Sequence, residues 1–153
     1  MAMKRLVKER RGVALVEFAF IVILLFTLFL GITEFGVMMF RQLTLTQVAR
    51  EGSRHASLGR PVEEIQERIK NTAGALDANA ITTQLKYSTD NGLTYPNVLQ
   101  NDSGGHNNAP PGSLIKVHLA YPDRLLFGSF FGFLSNVHDN TITLNTDVIM
   151  RRE

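Results

Sequence analysis

The chain has 153 residues, 44% of them hydrophobic and 20% charged, and no cysteine. That length is one domain's worth, or one small domain with an appendage, and the lack of cysteine excludes disulfides, thiolate metal sites and cysteine nucleophiles. The formal charge of +2 is unevenly spread: residues 1–12 hold Lys4, Arg5, Lys8, Arg10 and Arg11 against Glu9, a net of +4, which leaves −2 for residues 13–153. Basicity confined to one end removes the main electrostatic argument for nucleic-acid binding.

From Val13 to Ile32 twenty residues pass with one charge, Glu17, and only Glu34 is added before Phe40. Twenty helical residues reach about 30 Å, the thickness of a hydrocarbon core. A core helix of this length normally shows a polar face and this run hardly does, so residues 13–36 read as a transmembrane helix; a wholly buried globular helix is the competing reading. The basic leader places the N-terminus in the cytoplasm and the remainder outside. Arg41, Arg50 and Arg54 reduce that contrast, tempered by Glu34 and Glu51.

No proline follows until Pro61, and Leu45, Val48, Ala49, Gly52 and Ala56 recur at three- and four-residue steps, one face of an amphipathic helix over residues 37–58. Gly59 can supply a left-handed cap and Pro61 can open the next helix. Residues 61–75 form that helix, with Val62, Ile65, Ile69 and Ala73 inward and acids in its first turn. The period then changes to two. Strands are predicted near residues 81–88, 114–121 and 141–150, with Ile81, Leu85 and Tyr87, then Ile115, Val117 and Leu119, then Ile142, Leu144 and Val148 on their inner faces. Asn91-Gly92 is a hairpin signal, which makes Leu93–Tyr95 a candidate further strand. The fold class is therefore α+β: a long N-terminal helix running into a small exported domain, residues 37–153, with a second helix on a three- to four-stranded antiparallel sheet.

Little in this sequence argues for chemistry. The four histidines share no ligand spacing and read as solvated. No nucleophile or phosphate-loop motif occurs, and Asp90-Asn91-Gly92 and Asn101-Asp102-Ser103-Gly104 lack the full oxygen set of a calcium loop. The expectation is no enzyme, no cofactor and no metal. Leu125–Ser135 is uncharged and contains Phe130, Phe131 and Phe133; it is either core filling or a docking patch for a subunit or the bilayer surface. Glu51, Arg54 and His55, at i, i+3 and i+4, are either a solvated face or an ordered contact with a partner or the sheet.

The stretch "RRGVALVEF" joins the leader to the apolar run. The residues after that run, "GITEFGVMM", are a poor signal-peptidase site. Processing between Gly12 and Val13 instead would leave the apolar helix in the mature chain and make Glu17 its fifth residue, one helical turn from the new amine. A carboxylate in lipid costs about 2.5–3.5 kcal/mol and marks function. Opposite charges about 4 Å apart attract by about 4 kcal/mol at an effective dielectric of about 20, so a subunit-to-subunit pair of the Val13 amine with Glu17 offsets the burial. Glu34 either forms a second such pair or sits at the membrane interface.

"RRGVALVEFAF" resembles the processing site of type IV pilins, with Gly12 before the cut, Glu17 at mature position five and Phe18 after it. "GITEFGVMMFRQLTLTQVAREGSRH", and less specifically the terminal "ITLNTDVIMRRE", is similar to TadE-like pseudopilins of tight-adherence (Flp/Tad) pilus systems. The resemblance implies cleavage by a prepilin peptidase in the bacterial inner membrane and a role as minor pilin or assembly factor in pilus biogenesis and cell adhesion. Implied partners are other minor pilins, the major Flp pilin, the assembly platform and the lipid bilayer. The Phe-rich stretch has no counterpart in that family. A competing reading is an uncleaved, signal-anchored envelope protein whose outer domain binds a ligand or another protein.

Overall fold

The computed structural model describes residues 2–128 and 140–153, with side chains from Gly12 onward. Its contacts divide the chain into two units, Met1–Val37 and Met38–Glu153. One element, helix α1 (Ala2–Ser57), supplies the first and continues into the second, as the proline-free run to Pro61 allows.

In the first unit most apolar side chains face outward: Phe18, Phe20, Leu24 and Phe29 are each more than half exposed, whereas Leu30 is buried. A soluble domain does not leave such a run uncovered, and α1 is long and apolar enough to cross a membrane. The hydroxyls of Thr27 and Thr33 donate to Ile23 O (2.8 Å) and Phe29 O (2.9 Å), so neither brings an unsatisfied donor into that surface.

In the second unit α1 turns the predicted face inward, with Leu45, Val48, Ala49 and Ala56 fully buried. Helix α2 (Val62–Thr72) buries Ile65 and Ile69 in the same core. Gly52 is the point of close approach: a Cβ there would stand 2.7 Å from Ile69 Cγ1. The strands are β1 (Thr82–Ser88), β2 (Asn97–Val98), β3 (Leu114–Arg124) and β4 (Thr141–Arg151). They form one antiparallel sheet in the order β2-β1-β3-β4. Leu85, Ile115, Val117, Leu119 and Leu144 lie on its covered face. Each such side chain contributes about 1.5–3 kcal/mol by leaving water.

Three features depart from expectation by more than a residue. Helix α2 stops at Thr72 rather than 75, because Gly74 turns left-handed (φ 61) and the Ala73 N–H turns back to Lys70 O. Strand β3 runs to Arg124, three residues past Tyr121 and through Pro122. The bonds Arg152 N–H to Ser113 O and Leu125 N–H to Asn140 O set the ladder's parity. By that parity the Pro122 nitrogen faces β1, whose pairing has already ended at Thr82↔Ala120, so the absent N–H costs no bond. Finally, Leu93–Tyr95 is not a strand; β2 falls at Asn97–Val98. Asn91 and Gly92 do take positive φ (58 and 88). The loop, however, winds around Asp90, which accepts from Ser88 Oγ (2.5 Å), Thr94 N–H (3.0 Å) and Thr94 Oγ1 (2.6 Å).

Candidate functional site

At the head of the apolar helix, Gly12, Val13, Val16 and Glu17 line a shallow open depression on one face of α1. Val13 and Glu17 are one turn apart, which puts both on that face. Nothing stands within 4 Å of a Cβ built on Gly12, so packing does not demand glycine there. Glu17 is exposed and has no partner among the described residues. Phe18 beside it is 65% exposed. The depression thus offers one carboxylate on an apolar wall.

Glu34 is half-buried on α1. Glu51 is engaged within the chain: Arg68 of α2 donates to Glu51 Oε1 through Nε (3.0 Å) and a terminal nitrogen (2.8 Å). Arg54 stands 3.9 Å from the same oxygen and remains largely exposed. The Arg68 hydrogen bond holds Glu51 below the usual carboxylate range against partial burial, and the charges of Arg68, Arg54 and His55 add to it. His55 is not the solvated residue expected, since it lies between Glu51 (3.5 Å) and Glu64 (3.7 Å) with a fifth of its side chain exposed. Phe130, Phe131 and Phe133 lie outside the described residues.

The structure adds polar anchors that sequence reasoning missed. Arg41 pairs with Asp123 of β3, whose side chain is only 2% exposed, and also donates to Arg124 O (3.2 Å). At the far end of α1, Arg60 N–H bonds His55 O and Gly59 N–H bonds Ala56 O, a Schellman cap with Gly59 at φ 78. Asn107 Nδ2 donates to Ala56 O (2.8 Å) and Arg60 O (3.1 Å), and the Arg152 guanidinium donates to Ser57 O (3.2 Å). These donors meet the carbonyls a helix end leaves open and complement its negative pole. Only Gly59 among them carried a local signal. Asp102 spends one oxygen on the N–H groups of Gly104 (2.8 Å) and His106 (2.9 Å), closing its own loop.

Among the described residues one apolar helix is long enough to span a bilayer, headed by a glycine and a carboxylate and followed by a small α+β unit, an arrangement consistent with a single-pass membrane protein. Residues 12–54 match the model of the TadE-like protein family, so over that stretch the chain is similar to TadE-like proteins. The matched stretch opens on Gly12 and closes on Arg54, and so contains Glu17, Phe18, Glu34 and Glu51. No curated protein and no solved structure matches the chain.

Proposed function

We propose that this protein is a minor pilin, or pseudopilin, that acts in assembly of a Tad pilus and catalyses no reaction. In this reading a prepilin peptidase of the inner membrane cuts between Gly12 and Val13, the basic leader stays in the cytoplasm, and the Met38–Glu153 unit lies outside. The Val13 amine, with a reference pKa of about 7.7–8.0, is then cationic at neutral pH. It pairs with Glu17 of a neighbouring subunit and sets register as protomers enter the assembly. The other minor pilins, the major pilin and the platform proteins are the partners this requires.

The observation that carries the reading is the coincidence of three features at one place. The TadE-like match begins on Gly12, packing does not ask for glycine there, and Glu17 one turn later has no partner among the described residues. Intact mass of the membrane-extracted protein tests the cut: the expected mature chain begins at Val13. A mature chain that begins at Met1 or Ala2 overturns the proposal and favours a signal-anchored binding protein. Glu17→Ala tests the pairing: the variant should be processed and yet fail to enter the assembly, and normal assembly refutes the role given to Glu17.

A further inference from the structure

The face of the sheet opposite the core is largely polar and carries a lined depression. Strand register places its side chains in two short rows, with Gln84, His118 and Asp147 abreast on β1, β3 and β4 and Lys86 directly opposite Lys116 in the next row. With Tyr95 from the loop before β2, these six residues line a cavity of about 280 Å³. That volume is at the small end for ligand pockets and suits a single ring-sized unit.

The charges within the cavity are unequal in their satisfaction. Asp147 receives Lys116 Nζ (2.8 Å) on one oxygen and His118 Nδ1 (2.6 Å) on the other. Burial works against its ionisation, but hydrogen bonds from Lys116 and His118, and their charges, hold it below the usual range. The Lys116 ammonium also lies 5.7 Å from the Tyr95 ring centroid. Lys86 has no partner among the described residues. Like charges directly opposite on neighbouring strands are destabilising; Asp147 answers Lys116, which leaves Lys86 as the cation an incoming anion would meet.

The rest of the lining selects which anion. The Asp147 carboxylate faces the same space, so a phosphate or a densely sulfated chain would meet repulsion there. A ligand with one negative charge and several O–H donors satisfies both signs, because its hydroxyls can donate to Asp147 and to the Gln84 carbonyl. Tyr95 provides the apolar wall that the C–H groups of a sugar ring need.

We propose that this face binds one uronic acid unit of an acidic polysaccharide, its carboxylate on Lys86, its hydroxyls on Asp147 and Gln84, and its ring against Tyr95. The site does not depend on the pilin reading, and binding to the purified chain is measurable whether or not Gly12 is a processing site.

Calorimetric titration of the full chain in detergent micelles tests this, with tetragalacturonate as ligand and maltotetraose, tetraglutamate and inorganic phosphate as comparators. Saturable binding of tetragalacturonate is expected, weakened by added salt, with no binding of maltotetraose. Lys86→Gln should weaken it at least tenfold, whereas Lys70→Gln, an exposed charge on α2, should leave it unchanged. Tyr95→Ala should also weaken it. The proposal is overturned if tetragalacturonate does not bind at millimolar concentration, or if Lys86→Gln binds as well as the parent chain. Equal or tighter binding of tetraglutamate or phosphate overturns the saccharide assignment.

Discussion

The Arg41–Asp123 pair makes the most demanding stability prediction. Asp123 is 2% exposed at its side chain and Arg41 25%, so Asp123→Ala leaves a guanidinium three-quarters out of water without its counter-charge. Breaking a fully buried pair costs about 3–5 kcal/mol. Arg41 keeps the Arg124 carbonyl at 3.2 Å and its exposed quarter, which brings the expected loss to about 2–3 kcal/mol. For a domain of this size 1 kcal/mol moves the midpoint by about 4 °C, so the shift should be about 8–12 °C. Thermal unfolding of the full chain in micelles, followed by far-ultraviolet circular dichroism, gives the midpoint. The paired change Arg41→Met with Asp123→Val removes both charges while keeping apolar volume, and should recover to within about 1 kcal/mol of the parent. If Asp123→Ala alone stays within about 0.5 kcal/mol, below the usual range for such a change, or if the double variant is no better than the single one, the pair does not hold α1 to β3 as argued.

Asn107→Ala strips two bonds from the carbonyls of Ala56 and Arg60 at a buried site, and chemical denaturation should show a loss of about 1–3 kcal/mol. Arg68→Ala removes a half-exposed clamp between α1 and α2 and should cost no more than about 1 kcal/mol. Because Glu51 titrates lower folded than unfolded, the clamp's contribution is complete above the ordinary carboxylate pKa of about 4.3 and is lost as pH falls through the lower folded value. The acid limb of a stability–pH curve should therefore be shallower in Arg68→Ala. Gly52→Val forces branched atoms against buried Ile69 and should lower the midpoint in thermal melts by an amount equivalent to about 1–3 kcal/mol. Gly36→Ala, with nothing within 4 Å of its Cβ, should be neutral or better in the same melts.

What could be read without coordinates was whatever is local in sequence. The buried face of α1 follows from the spacing of Leu45, Val48, Ala49 and Ala56, and the Gly59 cap from one glycine after a periodic run. The strands follow from alternation at Leu85, at Ile115 to Leu119 and at Leu144. The errors arose where distant or competing contacts decide. Arg41 and Asp123 are 82 positions apart and neither carries a periodic signal. Asn107 sits in a Gly- and Asn-rich stretch that reads as solvated loop, yet it is 3% exposed, because the end of α1 needs its amide. Leu93 to Tyr95 followed the hairpin signal of Asn91-Gly92 and lost to hydrogen bonds on Asp90. In the candidate site Gly12 and Glu17 are neighbours on a helix turn, but no pattern within one chain names the subunit whose amine would answer the carboxylate.

The two proposals rest on the same kind of observation with different weight, and the medium sets the difference. Among the described residues Glu17 and Lys86 both lack a partner, but so do exposed groups such as Glu67 and Lys70, and water solvates those at no cost. Lys86 is informative only because register sets it opposite Lys116 inside a lined cavity; exposure alone would make it ordinary. Glu17 belongs to a helix whose surroundings in a membrane are hydrocarbon, where an ionised carboxylate has no solvent to fall back on. Its solitude within the chain is thus itself an argument for a partner outside it. A single prediction separates the two cases. Replacing Glu17 by Gln, which keeps shape and removes charge, should abolish assembly and leave tetragalacturonate binding untouched, whereas Lys86→Gln should do the reverse. If either substitution moves both readouts, the two sites are not independent, and the separation of a lipid-embedded pairing device from a sheet-borne binding face is wrong.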